Sequence, residues 1–162
     1  KKKKNVNSTV ENHEHVNRYA EIIYVPQRHK GEISKGDSVI VHHNIFRIYY
    51  DMKGNPKKSP NYFKDGLYFI DEFQFYLYNN GKQWNAVGDN CFVRPITKED
   101  TYLYEDSLED NTGVVAYDNL NLNKLGVFKG DKVNFRKNSE YKFTVGDEVL
   151  YRMKTNDICA IL

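Results

Sequence analysis

Apolar and polar residues alternate in short bursts along this chain, with turn-forming residues between the bursts. Such a pattern predicts strands. Residues 19–26, "YAEIIYVP", read as a strand halted by Pro26, which has no N–H to give a ladder. After Gly36 and Asp37, "SVIVHH" reads as a second strand and "NIFRIYY" (44–50) as a third. Residues 51–66, "DMKGNPKKSPNYFKDG", are rich in Pro, Gly and Lys and predict a long loop. In "LYFIDEFQFYLY" (67–78), alternation puts Phe73, Phe75 and Leu77 on one side and Gln74, Tyr76 and Tyr78 on the other. Asn80-Gly81 then predicts a hairpin, because that dipeptide accepts positive φ cheaply. Further on, "GVVAYDN", "KGDKVNF", "EYKFTV", "EVLYRM" and "ICAIL" read as strands, with "LNLNKLGVF" (120–128) as a connector. Many short strands with turn signals between them predict an all-β fold, a small barrel or sandwich.

The pattern occurs twice. "AEIIYVP" at Ala20 matches "GVVAYDN" at Gly113, and "KGDSVIV" at Lys35 matches "KGDKVNF" at Lys129, offsets of 93 and 94 residues. The apolar run "GDNCFVRPI" (88–96) matches "TNDICAIL" (155–162) as a closing strand. We therefore expect an extended arm over 1–18, a first barrel-like unit over 19–96 carrying the loop 51–66, and a second barrel unit over 97–162. A unit this small buries only about 60% of its unfolded surface, so two are expected to share an interface or lean on partner subunits.

Four pieces of the second half resemble the GroES-type co-chaperonin family in kind and in order: "FVRPI" (92–96), "GVVAYD" (113–118), "KGDKVNF" (129–135) and "TNDICAIL" (155–162). The likeness extends more weakly over 19–96. It implies tandem small GroES-like β-barrels that assemble into rings through their terminal strands. On that basis Phe92, Val93, Ile96, Ile158, Ala160 and Leu162 are the expected strand-pairing residues between subunits. The chain departs from the family between Arg94 and Gly113. There the family carries a mobile apolar Gly-Gly-Ile-type loop, and this chain has a short acidic connector with Glu99, Asp100, Glu105, Asp106, Glu109 and Asp110. Ordering such a loop on a partner requires apolar contacts to offset the lost entropy, and only Tyr102, Leu103 and Tyr104 offer them.

Composition supports strands. Alanine, the best helix former, occurs four times (Ala20, Ala86, Ala116, Ala160), while the chain holds 13 tyrosines and 9 phenylalanines. The formal net charge of +2 creates no overall field calling for nucleic acid or a membrane. The one basic run is Lys1, Lys2, Lys3 and Lys4, a candidate partner-contacting arm. Cys91 and Cys159 lie in similar apolar runs and read as small buried hydrophobes. No apolar stretch is long enough for a membrane-spanning helix, and no signal-peptide pattern is present, so the expected location is a host cytoplasm or a virion.

Candidate chemistry is sparse. His13 and His15 share a face if extended but lack a third ligand; His42 and His43 should face opposite sides of a strand; His29 stands alone in a turn. The acidic connector lacks the calcium-loop pattern with its fixed glycine, and no phosphate-cradling glycine motif or nucleophile elbow occurs. We expect no enzyme, no cofactor and no metal. Aromatic residues crowd the first unit, including Tyr62 and Phe63, and lysines 53, 57, 58 and 64 run among them. A single-strand nucleic-acid face would combine rings and lysines in this way. Nearby Asp51, Asp65, Asp71 and Glu72 balance that charge, so nucleic acid is not expected as a partner except through the Lys1 to Lys4 arm. The reading that results is a non-enzymatic, assembly-forming β-barrel protein, a structural or accessory subunit of a large particle such as a phage capsid. Its partners would be other protein subunits, Tyr62, Phe63 and the Tyr102 to Tyr104 segment being candidate contacts. The alternatives are a co-chaperonin acting with a chaperonin and a single-strand nucleic-acid-binding barrel.

Overall fold

A computed structural model describes residues 18–96 and 111–162 of the chain. Strand makes up 44% and helix 11%, so the protein is all-β. The first sheet contains β1 (Tyr19–Glu21), β2 (Ser38–Val41), β7 (Phe75–Asn79) and β8 (Trp84–Ala86), in the order β1-β2-β7-β8. Between β2 and β7 stand two separate hairpins, β3 (Ile48–Tyr50) with β4 (Pro56–Lys58), and β5 (Tyr62–Lys64) with β6 (Leu67–Tyr68). The second sheet contains β9 (Asn90–Pro95), β10 (Thr112–Tyr117), β11 (Lys132–Phe135), β12 (Tyr141–Val145), β13 (Glu148–Lys154) and β14 (Ile158–Ile161). Its order is β12-β13-β9-β10-β11-β14, every pair antiparallel. By hydrogen bonding these are two open sheets, ending at β1 and β8 and at β12 and β14.

Several local readings change. The loop 51–66 carries both β4 and β5, and Asp51 folds its start back: its carboxylate accepts from Lys53 N and Asn55 N, both at 2.9 Å. The connector 120–128 contains a helix, α1 (Leu120–Lys124), started by Asn119, whose Oδ1 accepts from Asn121 N and Leu122 N at 2.9 Å each. The alternation of 67–78 is broken by a 3₁₀ turn, Glu72–Gln74, which leaves Phe73 exposed while Phe75, Tyr76 and Leu77 are buried. His42 and His43 do not face apart. The strand ends at Val41, His43 enters a 3₁₀ turn, and the two rings stack at 4.3 Å.

The repeat is real in its hydrogen bonds. Gly36 N donates to Ile22 O at 2.7 Å and Ile22 N to Asp37 O at 2.9 Å; Gly130 N donates to Val115 O at 2.8 Å and Val115 N to Asp131 O at 2.9 Å. Gly36 (φ 90°) and Gly130 (φ 96°) hold the left-handed turn that glycine alone adopts without cost. The matched residues also build matched cores. Ile22, Ile33, Val39 and Val41 pack in the first unit; Val115, Val127, Val133 and Phe135 pack in the second.

The closing strand of the first copy is β7, not the run 88–96. His42 N donates to Gln74 O at 2.8 Å just before β7, as Arg136 N donates to Asp157 O at 2.8 Å just before β14. Val41 then pairs with Phe75 and Ile40 with Leu77, as Phe135 pairs with Ile158 and Asn134 with Ala160, each pair of strands with an irregularity at that point. The run 88–96 instead supplies β9, an interior strand of the second sheet between β10 and β13. The sheets therefore change over before Asn90, ahead of the expected junction at residue 96.

A third cluster joins the two units. Ile40, Tyr76, Leu77 and Ala86 of the first sheet pack with Phe92, Phe143, Val145 and Leu150 of the second. Arg18 lies 4.5 Å over the Phe143 ring, and Gly146 N donates to the Tyr19 hydroxyl at 2.9 Å, so the β12–β13 hairpin covers the first unit as well as its own.

Candidate functional site

The two copies treat one edge differently. In the first, the outer side of β7 is covered by β8: Val87 N donates to Tyr76 O at 3.0 Å, Tyr78 lies opposite Asn85, and Leu77 opposite Ala86. In the second, β14 occupies the place of β7, Cys159 that of Tyr76 and Ile161 that of Tyr78. β14 is the last strand of its sheet. Leu162 N donates inward to Lys132 O at 2.8 Å, and Ala160 lies opposite Asn134. Alternation along an antiparallel strand then turns the main-chain groups of Cys159 and Ile161 outward. No other strand among the described residues lies there. Cys159, Ala160, Ile161 and Leu162 are exposed, Ile161 at 50% and Leu162 at 59%, and Ile158 is half-buried. An apolar strand with an open ladder edge is a template for another strand.

This divides the expected strand-pairing residues. Ile158, Ala160 and Leu162 lie on or next to the open edge. Phe92 and Val93 do not: they are fully buried in an interior strand whose two sides are both paired. Ile96 follows directly after β9 and is half-buried. Lys1, Lys2, Lys3, Lys4, Tyr102, Leu103 and Tyr104 lie outside the described residues, as do His13 and His15.

Tyr62 and Phe63 sit on β5, and the surface around them is apolar and basic. Lys58 Nζ stands 3.7 Å from the Tyr62 ring centre, and the Phe63 and Phe69 rings are 5.0 Å apart. Neither hairpin joins one of the two larger sheets.

A cleft of about 600 Å³ opens between the units, with His29 and Glu72 on one side and Asp89, Asp118, Asn121 and Lys124 among the other lining residues. His29 Nδ1 lies 3.5 Å from Glu72 Oε1. Asp118 is occupied, accepting from Lys129 N at 3.0 Å. No group of three metal-ligating side chains occurs among the described residues.

The cysteines part company despite similar flanks. Cys91 is fully buried, and burial pushes its thiol up to about 12; Cys159 is exposed because β14 is an edge strand. No helix among the described residues is long and apolar enough to cross a membrane.

No protein-family model, curated protein or solved structure matches this chain.

Proposed function

We propose that the protein is non-enzymatic and works by assembling through the β14 edge, as a structural or accessory subunit of a larger particle such as a virion. The observation that carries this reading is the open, apolar edge of β14 at the place where the first copy has β8 on β7. The strand that fills it comes from another subunit and runs antiparallel to β14, as β8 does to β7. An open edge with exposed Ile161 and Leu162 is otherwise a liability that proteins blunt with charge, proline or a covering element. Sedimentation over a range of protein concentrations tests it. The native chain should form oligomers, and Ile161→Pro, which removes one outward N–H, should leave a folded monomer. A native chain that stays monomeric across the range sinks the proposal.

A second reading, co-chaperonin activity, draws on one observation: the four family-like runs fall on strands β9, β10, β11 and β14, which are neighbours in that order. Co-elution with a chaperonin that depends on nucleotide would support it, and its absence would leave the assembly role alone.

A further inference from the structure

We infer that the two free hairpins of the first unit form a stacking platform for single-stranded nucleic acid, separate from the β14 edge.

The repeat makes these hairpins stand out. Between β11 and β14 the second copy has one hairpin, β12–β13, which joins its sheet and helps to build the shared core. Between β2 and β7 the first copy has β3–β4 and β5–β6 instead, and neither adds to a larger sheet. Their side chains are correspondingly open. Tyr50 is 71% exposed, Phe63 52% and Phe69 66%. A hairpin that held only itself together would be expected to turn rings inward and polar groups out.

The rings come with cations. Lys58 Nζ lies 3.7 Å from the Tyr62 ring centre and Lys64 Nζ 5.4 Å from that of Phe63, while Lys57 sits opposite Tyr49 across the β3–β4 ladder. A base stacked on such a ring brings its phosphate within reach of the adjoining ammonium, the combination that binds single strands without sequence readout. Lysine is depleted at the centre of protein–protein interfaces, so rings interleaved with lysines favour a phosphate partner over a dry protein contact.

Of the four acids that offset this charge in the sequence, Asp51 is bound up in its own loop and Glu72 lies against His29, while Asp65 still acts on Lys58. Asp51 accepts from Lys53 N, Asn55 N and Asn55 Nδ2 within its own loop, and the bonds from Asn55, first among them, hold its carboxyl below the usual range. Its contact with Lys57 is long, at 3.9 Å, and the Lys57 side chain remains 67% exposed. A single strand gains access to rings that a duplex, with its bases already stacked and paired, does not use.

The test is fluorescence anisotropy of a labelled 20-nucleotide thymidine oligomer with the full chain at several salt concentrations. Saturable binding is expected, with log affinity falling against log salt at a slope of about −2 if three lysines contact phosphate. Phe63→Ala with Phe69→Ala should weaken binding on the order of tenfold and leave the slope alone. Lys57→Gln with Lys64→Gln should reduce the slope by about 1.4. All four side chains are exposed, so a circular dichroism spectrum like that of the native chain should accompany each variant. Affinity unchanged in both variants would place any binding elsewhere, for instance on the Lys1 to Lys4 arm, and overturn the inference. So would absence of binding at 50 mM salt, equal binding of a duplex, or ring-dependent capture by anionic phospholipid vesicles in place of the oligomer.

Discussion

Asp37 and Asp131 do the same work at the same point of the two copies. Each carboxylate accepts the N–H of the residue three positions earlier, Ser34 at 2.7 Å and Phe128 at 2.8 Å, and each main-chain N–H donates back to that residue's carbonyl, at 3.2 Å and 3.1 Å. The Gly-Asp pair is thus a turn clasp. Glycine supplies the backbone conformation and aspartate locks the turn before the strand begins. Asp37→Ala should lower stability by about 1.5–3 kcal/mol, the range for a lost bond to a charged acceptor. Asp131→Ala should act in the same direction but by less, since Asp37 is buried and Asp131 only partly so. Urea unfolding of both variants measures the pair.

Gly113 is fixed by a neighbour and not by its dihedral angles. A methyl group there would stand 2.6 Å from the carbonyl oxygen of Arg94, on the β9 side of β10. Its counterpart is Ala20 on β1, which has no strand on that side among the described residues. Gly113→Ala should therefore cost about 1–3 kcal/mol, the usual range for forced overpacking. A thermal melt of this variant close to that of the native chain would mean that β9 and β10 can separate freely.

Asn119 ties three elements together. Besides starting α1, its Nδ2 donates to Asn90 O at 2.8 Å and to Thr155 Oγ1 at 3.0 Å, and the residue is 5% exposed. Asn119→Ala loses the helix cap and leaves buried acceptors unpaired, so a loss of about 1–3 kcal/mol in urea unfolding is expected. Asn119→Asp should retain the cap but lose the two donated bonds, and a stability between the two would divide their contributions.

The fold could be read in the sequence wherever its cause was local. The Gly-Asp clasp needs one residue free to take positive φ and one short carboxylate beside it, so both copies show it plainly. Pairing was less legible, because it joins distant residues. The alternation over residues 73–78 runs straight through the Glu72–Gln74 turn, and nothing in that rhythm shows that β7 begins only at Phe75. The runs around Cys91 and Cys159 are equally apolar, yet one strand is interior and the other an edge. Burial there depends on which strands lie alongside, and composition does not contain that information. The edge of β14 and the two free hairpins became visible only when one copy was laid against the other.

The two thiols should differ sharply in chemistry. An aromatic disulfide reagent at pH 8 should titrate Cys159 in the folded protein and reach Cys91 only on unfolding, because the nucleophile is the thiolate and burial keeps Cys91 protonated. The same burial has a pH consequence. Its ordinary value is 9.0 and its folded value about 12, so the unfolded chain ionises first as pH rises. The contribution to stability is intact below pH 9.0 and is lost between 9.0 and about 12. Cys91→Ser should not be used to test this, since it puts a hydroxyl in the core; Cys91→Ala should flatten the alkaline limb.

His42 gives the opposite limb. Burial first, then the nearby Arg18 and Arg152, hold its pKa below the ordinary 6.5. The unfolded chain takes up a proton that the folded site resists, so stability is full above pH 6.5 and falls as pH drops below it. Its Nδ1 accepts from Asn44 N at 3.1 Å. The substitution His42→Asn keeps an acceptor for that bond without a titrating group, and the acid-side decline measured by urea unfolding should be smaller.

The β12–β13 hairpin performs one task for two units. Phe143, Val145 and Leu150 roof the strands of the first copy as well as their own, and Tyr19 is bonded to the hairpin's turn at Gly146. With that hairpin serving both units, the corresponding interval of the first copy adds no strand to either large sheet, though Tyr68 and Ile70 still pack on its core. A segment that sits on a core without carrying its ladder can change its length and its exposed residues, Phe63 and Phe69 among them, while the sheets beneath it stay put.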